Sequence, residues 1–146
     1  MSTVPVTDTL SRLMASTYVL ALKTHGYHWN VRGSLFPQLH SLFEEQYDGL
    51  YEAADGLAER LRALGADAPA GLAQLGELSV VTADGAVVDQ MAMVRALRDD
   101  HLAVAKVAYE VIAAADAAGD PGSEDMATER VQEHEKAAWM LGAILA

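Results

Sequence analysis

Residues 36–64 carry an apolar stripe, Phe36, Leu39, Phe43, Tyr47, Leu50, Ala54, Leu57, Leu61 and Leu64, whose successive steps are 3, 4, 4, 3, 4, 3, 4 and 3 residues. Steps that alternate in this way keep side chains on one side of a 3.6-residue helix, so the stripe predicts a single long helix. A helix with one apolar side cannot bury that side alone and requires helical partners. The rest of the chain supplies them. Ahead of the stripe, Leu10, Leu13, Met14, Thr17, Leu20 and Ala21 recur at helical spacing from an N-cap at Thr7 or Asp8 until Val31-Arg32-Gly33 interrupts them. Ser34 is then expected to cap the second helix, with Pro37 in its first turn, and Gly65 to end it.

Residues 65–84 form a connection with Pro69, several glycines and a short apolar run from Leu72 to Val81. Structureless loops of that length are rare inside a domain, so a short helix is expected near residues 70–78. The set Val87, Met91, Val94, Leu102, Ala105, Ala108, Ile112 and Ala115 predicts a third long helix over about 85–118. Gly119-Asp120-Pro121-Gly122 is a turn, and a fourth helix runs from about Ser123 through Val131, Ala138 and Leu141 to Leu145. The expected architecture is all-α: a ferritin-like four-helix bundle with a short extra helix in the connection between its second and third helices, in one domain over residues 1–146.

The chain has no cysteine, which excludes disulfides and thiolate metal sites, so any metal must be held by nitrogen and oxygen. Its formal charge is −11, with 21 acidic residues against 10 scattered basic ones. Phosphate backbones need a basic patch, so nucleic acid is a poor partner for the body of the chain and cations are better ones. The stretch MSTVPVTDTLSRLM lacks the basic and apolar regions of a leader, and no run approaches the roughly 20 apolar residues of a membrane span. A soluble, cytoplasmic protein without membrane contact is expected.

No Gly-rich phosphate loop, G-x-S-x-G or H-E-x-x-H occurs. The E-x-x-H pair of ordinary di-iron bundles is absent too, because Leu22, His25, Pro37, Arg98 and Val131 stand three residues before the five histidines. His25 and His28 form an i, i+3 pair that can ligate metal or simply favour the helix C-terminus. Asp55 and Glu59 form an i, i+4 pair of a kind that often decorates a solvated face. Together with His40, Glu44 and Asp48 they keep one register on the second helix, displaced by one residue from Leu39, Phe43, Tyr47, Ala54 and Ala58.

Asp55 stands 15 residues beyond His40 and Glu59 stands 19 beyond it. At about 100° per residue they lie roughly 60° and 100° round the helix from His40, on the same broad side. Along the axis, however, they are roughly 22 and 28 Å away, far beyond the reach of one metal ion. If the helix packs antiparallel to a two-fold mate, His28 and His40 of one subunit face Asp55 and Glu59 of the other, and the site is made in trans. Two imidazoles with carboxylates suit Fe(II) and also admit Zn(II) or Mn(II). The alternative is that these residues form only the polar rim of a helix interface.

The chain resembles the Dps family, the ferritin-like "DNA-binding proteins from starved cells" or mini-ferritins, over nearly its whole length. The resemblance runs through His28-Trp29-Asn30-Val31, Gly33, Phe36, Leu39-His40, Tyr47, Asp55, Ala58-Glu59-Arg60 and Leu64-Gly65, and again through Asp125, His134-Glu135-Lys136 and Trp139-Met140-Leu141. It implies a hollow homo-dodecamer built from dimers that oxidises ferrous iron at ferroxidase centres across the dimer two-fold, preferably with hydrogen peroxide, and stores ferric mineral. Carried over by position, His28 and His40 are ligands from one subunit, Asp55 and Glu59 from its partner, and Glu44 fills a further acidic position. Trp29 is a candidate electron donor, or packs at the dimer seam.

Asp120 and Asp125, with Glu124 and Glu129, are candidates to line an iron-entry pore; their alternative role is to favour the N-terminus of the fourth helix. Glu45, Asp48 and Glu52 are candidates to face the cavity. The family also contains members that bind and compact DNA through basic tails. Here the first 22 residues contain only Arg12 as a basic residue, and residues 137–146 contain none. Twelve such chains would carry roughly −132, so direct DNA binding is not expected.

Overall fold

A computed structural model describes residues 4–146 and contains α1 (Val6–Asn30), α2 (Phe36–Ala63), α3 (Leu72–Leu78), α4 (Gln90–Ala118) and α5 (Pro121–Leu145). The four long helices and the short connector expected from the apolar spacing are all present, and no strand occurs among the described residues. Residues 1–3 of the N-terminal stretch considered above lie outside the described residues.

On α2 the stripe goes inward at Leu39, Phe43, Leu50, Ala54, Leu57 and Leu61, while Phe36 and Leu64 at its two ends are 40% and 38% exposed. Phe43 is fully buried, and truncation of such a side chain typically costs about 3–5 kcal/mol because the cavity only partly collapses. On α4 the inward set is Met93, Val94, Leu97, His101, Val104, Ala105, Ala108, Val111 and Ala115. Leu102 points outward, and Val87 precedes the helix; both are exposed, contrary to the expected stripe.

The helix starts correct the sequence expectations by a few residues, and at α4 and α5 a side-chain cap sets the start. α1 starts at Val6 behind Pro5, with neither Thr7 nor Asp8 as its cap; Asp8 instead lies in the first turn, where its charge suits the helix dipole. α2 follows Leu35 and not Ser34, and has Pro37 in its first turn as expected. α4 begins at Gln90, later than expected, because Asp89 Oδ1 accepts from the N–H groups of Met91 and Ala92, both at 3.0 Å. α5 begins at Pro121, where Asp120 caps it by accepting from the Ser123 N–H at 3.1 Å.

α1 packs against α2, α4 and α3, and α4 packs along α5, whereas α2 and α5 scarcely meet and leave a groove between them. The turn joining α1 to α2 is clamped from outside by Gln90. Its Oε1 accepts from the Leu35 N–H at 3.0 Å and its Nε2 donates to Ser34 Oγ at 3.1 Å. Gly33 in that turn has φ +123°, and a Cβ there would stand 2.7 Å from Gln90 Oε1. Only glycine accommodates both the left-handed backbone and the close approach of the clamp. This turn sets the end of α1 beside the start of α2.

Candidate metal centre

His28 lies in the last turn of α1 and His40 near the start of α2. Their rings stack at a centroid distance of 3.8 Å with planes 14° apart. His28 Nδ1 donates to the His40 carbonyl at 2.7 Å, and His40 Nδ1 donates to the His28 carbonyl at 2.8 Å. A carbonyl only accepts, so both Nδ1 atoms carry hydrogen and Nε2 is the nitrogen of each ring left for a further partner. Metal-binding histidines are commonly prepared in this way, with the other ring N–H tied to a backbone carbonyl.

Glu44 stands one turn further along α2, with Oε1 3.8 Å from His28 Nε2 and its side chain 57% exposed. The Tyr47 hydroxyl donates to Glu44 Oε1 over a long 3.5 Å. Desolvation, and next the charge of Glu44, raise the Tyr47 pKa above its ordinary value, so the phenol stays protonated. Two imidazoles and an exposed carboxylate thus converge at one end of α2. Among the described residues, no three His, Asp or Glu side chains close into a metal site within one chain.

Asp55 and Glu59 are both exposed on the same unbroken helix and lie far down its axis from His40, roughly 22 and 28 Å by helical rise. A single chain therefore brings His28, His40 and Glu44 together and leaves Asp55 and Glu59 apart. Trp29 is 65% exposed, and its ring lies 4.3 Å from that of His25. His25, the third histidine of the junction, stacks on Tyr47 at 4.0 Å and shares a 3.2 Å hydrogen bond with the Tyr51 hydroxyl through Nδ1. It is an aromatic packing element behind the His28–His40 pair.

Asp120 is fully engaged. Its Oδ2 accepts from Ser123 Oγ at 2.6 Å, and its Oδ1 accepts from the Ser123 N–H and from Arg60 Nη2, the latter at 2.6 Å. The Ser123 hydroxyl first, and the Arg60 guanidinium with it, hold this carboxyl below its usual pKa. Asp125 and Glu129 are exposed on α5, and Glu124 is half-buried. Glu45 and Glu52 line the α2–α5 groove, and Asp48 is exposed.

Apolar spacing carries no signal for a second histidine pair. His101 on α4 and His134 on α5 are 2% and 0% exposed and meet through their Nδ1 atoms at 2.9 Å. Burial pushes the His101 pKa down to about 4 and that of His134 well below its ordinary value, so both are neutral at pH 7. Each occupies a core position in its helix's inward set, which an apolar stripe search passes over because histidine is polar.

A family model described as a ferritin-like domain matches residues 7–146. A "DNA protection during starvation protein" of Brevibacillus brevis is 37% identical over 139 residues, covering 93% of this chain and 91% of its own. The crystal structure of Dps from Thermosynechococcus elongatus superposes with a TM-score of 0.93 at 33% identity, covering 97% of this chain and 90% of the other. The Dps protein of Vibrio cholerae, described as a member of a broad superfamily of ferritin-like diiron-carboxylate proteins, gives 0.92 at 29% identity, covering 97% and 89%. The matched fold extends through both the histidine end and the carboxylate end of α2, and on this likeness the chain belongs to the Dps family of ferritin-like proteins.

Proposed function

We propose that the chain, acting as one domain over residues 1–146, is a mini-ferritin that oxidises Fe(II) at centres shared between two subunits and stores the ferric product in a dodecameric cage. The observation that carries this reading is the reciprocal Nδ1–carbonyl bonding of His28 and His40, which leaves two Nε2 donors without a carboxylate pair in their own chain. Asp55 and Glu59 of a two-fold mate complete the set when the α2 helices pack antiparallel. Glu44, exposed beside His28, supplies a further oxygen donor.

Iron is the substrate here. Neutral imidazoles accept Fe(II) without releasing a proton, while the carboxylates of Asp55, Glu59 and Glu44 favour Fe(III) and so drive electron loss. With hydrogen peroxide as oxidant, two Fe(II) ions each give one electron, two protons are taken up, and two waters leave. This pairing avoids release of a hydroxyl radical. Trp29, exposed near this end of α1, donates an electron to oxidant that escapes. Asp125 is a freer carboxylate for an iron-entry pore than Asp120, which is consumed by its cap and by Arg60. A cytoplasmic setting fits this activity.

The reading is tested by titrating size-fractionated protein with Fe(II) and hydrogen peroxide. Consumption of about two Fe(II) per peroxide by the dodecameric fraction, strongly slowed in His28→Ala and Asp55→Ala, is the expected result. If both variants remain assembled and oxidise iron at the parent rate, the site assignment is wrong.

A further inference from the structure

The helix that carries His40 near its start, α2, has no side-chain cap of its own. Ser34, the cap expected from the sequence, does not fill that role. A side chain from another helix does: Gln90 Oε1 accepts from the N–H of Leu35, the residue just ahead of α2, at 3.0 Å. Its Nε2 donates to Ser34 Oγ at 3.1 Å, so one amide engages two successive residues of the turn. Those residues are 55 and 56 positions away in the sequence.

Gln90 is itself fixed. It is the first residue of α4, and Asp89 immediately before it caps that helix through the N–H groups of Met91 and Ala92. The amide also lies against Gly33, where an added Cβ would stand 2.7 Å from Oε1 and 3.1 Å from Nε2. An amide bonded at both ends and packed against backbone has little freedom, and it locates the start of α2 relative to α4.

From there the path to the metal ligand is short. Phe36 follows Leu35 and precedes His40 by about one helical turn, and their rings stack with centroids 5.0 Å apart and planes 27° apart. His40 also stacks on His28 at 3.8 Å and is tied through Nδ1 to the His28 carbonyl. Phe36 is 40% exposed, so the backbone at Leu35 sets its place more than the core does. On the reading that His28 and His40 ligate iron, we infer that Gln90 is a positioning residue for that centre. By fixing Ser34 and Leu35 it sets Phe36 and His40, and with them the spacing and direction of the two Nε2 atoms. Gln90 bonds to neither histidine, so its effect falls on the affinity and geometry of the site, as for other groups that orient metal-binding histidines from outside the ligand set.

Titration of the assembled, iron-free protein with Co(II) tests this, because Co(II) accepts the same nitrogen and oxygen donors and its visible bands report their geometry. Gln90→Ala removes both bonds, and binding at least about tenfold weaker than in the parent, with shifted bands, is expected. Should that variant fail to assemble, Gln90→Met keeps the bulk against Gly33, loses both bonds and reads the same effect. Gln90→Glu keeps an acceptor for the Leu35 N–H, and the Ser34 hydroxyl can turn to donate to its second oxygen, so most of the affinity and the parent's bands should return. Val131→Ala, a truncation in the core face of α5, should lower stability yet bind Co(II) like the parent, which separates positioning from general loosening. Parent-like affinity and bands in Gln90→Ala, no recovery in Gln90→Glu, or equal weakening in Val131→Ala would each overturn the inference alone. Co(II) binding that is unchanged in His28→Ala would overturn the iron-centre reading and this inference with it.

Discussion

His28 and His40 each donate their Nδ1 hydrogen to the other's backbone carbonyl, at 2.7 and 2.8 Å, so each carbonyl fixes hydrogen on Nδ1 of the opposite ring. The arrangement also serves the helix. His28 is in the last turn of α1, where its carbonyl has no helical donor, and the His40 side chain supplies one. Backbone groups on two helices thus leave the two Nε2 atoms unengaged, and this arrangement depends on the turn that joins those helices.

That dependence makes Gly33→Ala informative. The new methyl group would occupy a left-handed conformation 2.7 Å from the Gln90 amide that clamps the turn. A loss of about 1–3 kcal/mol in stability is expected, together with slower Fe(II) oxidation as the ring pair loosens. Denaturant midpoints and stopped-flow oxidation measure the two effects. Parent-like values for both would remove the turn from the account.

Stability should fall with acid through the His101–His134 pair. The unfolded rings titrate near 6.5, whereas folded His101 titrates at about 4 and His134 is also lowered. Protonation therefore favours the unfolded chain. The contribution is fully present above pH 6.5 and is lost progressively as pH falls toward 4, by about 3 kcal/mol for His101 alone. Urea unfolding at several pH values should show this slope in the parent and a flatter one in the double variant His101→Leu/His134→Leu. An identical slope in both would contradict the assignment.

The family name carries an expectation of DNA binding that this chain's charge opposes. At −11 per chain, with only Arg12 basic among its first 22 residues, electrostatic attraction to phosphates is missing. At physiological salt and low micromolar protein, without added divalent metal, no gel shift of duplex DNA is expected; a clear shift would contradict this.

Much of this was legible in the sequence where apolar spacing alone decides the outcome. The α2 stripe buried Leu39, Phe43, Leu50, Ala54, Leu57 and Leu61 as its steps require. α4 starts later than apolar spacing predicts because Val87 continues an apolar rhythm that the backbone does not follow, and the Asp89 cap outweighs it. The nearness of His28 and His40 follows from a short turn, whereas their reciprocal carbonyl bonds depend on ring orientation that spacing does not encode. His101 and His134 lie 33 residues apart in sequence, and only the packing of α4 on α5 makes them a pair.

The claim that the iron centre is completed in trans is tested most directly by mixing subunits. A His28→Ala chain keeps its carboxylates, and an Asp55→Ala chain keeps its histidines. In a two-fold dimer of one with the other, one centre is intact and the second is doubly defective. Co-refolding the two inactive variants should therefore restore Fe(II) oxidation to about one quarter of the parent rate, since half of randomly formed dimers are mixed and each holds one good site. If the mixture assembles and stays as inactive as either variant alone, the ligands do not come from two subunits and the account fails.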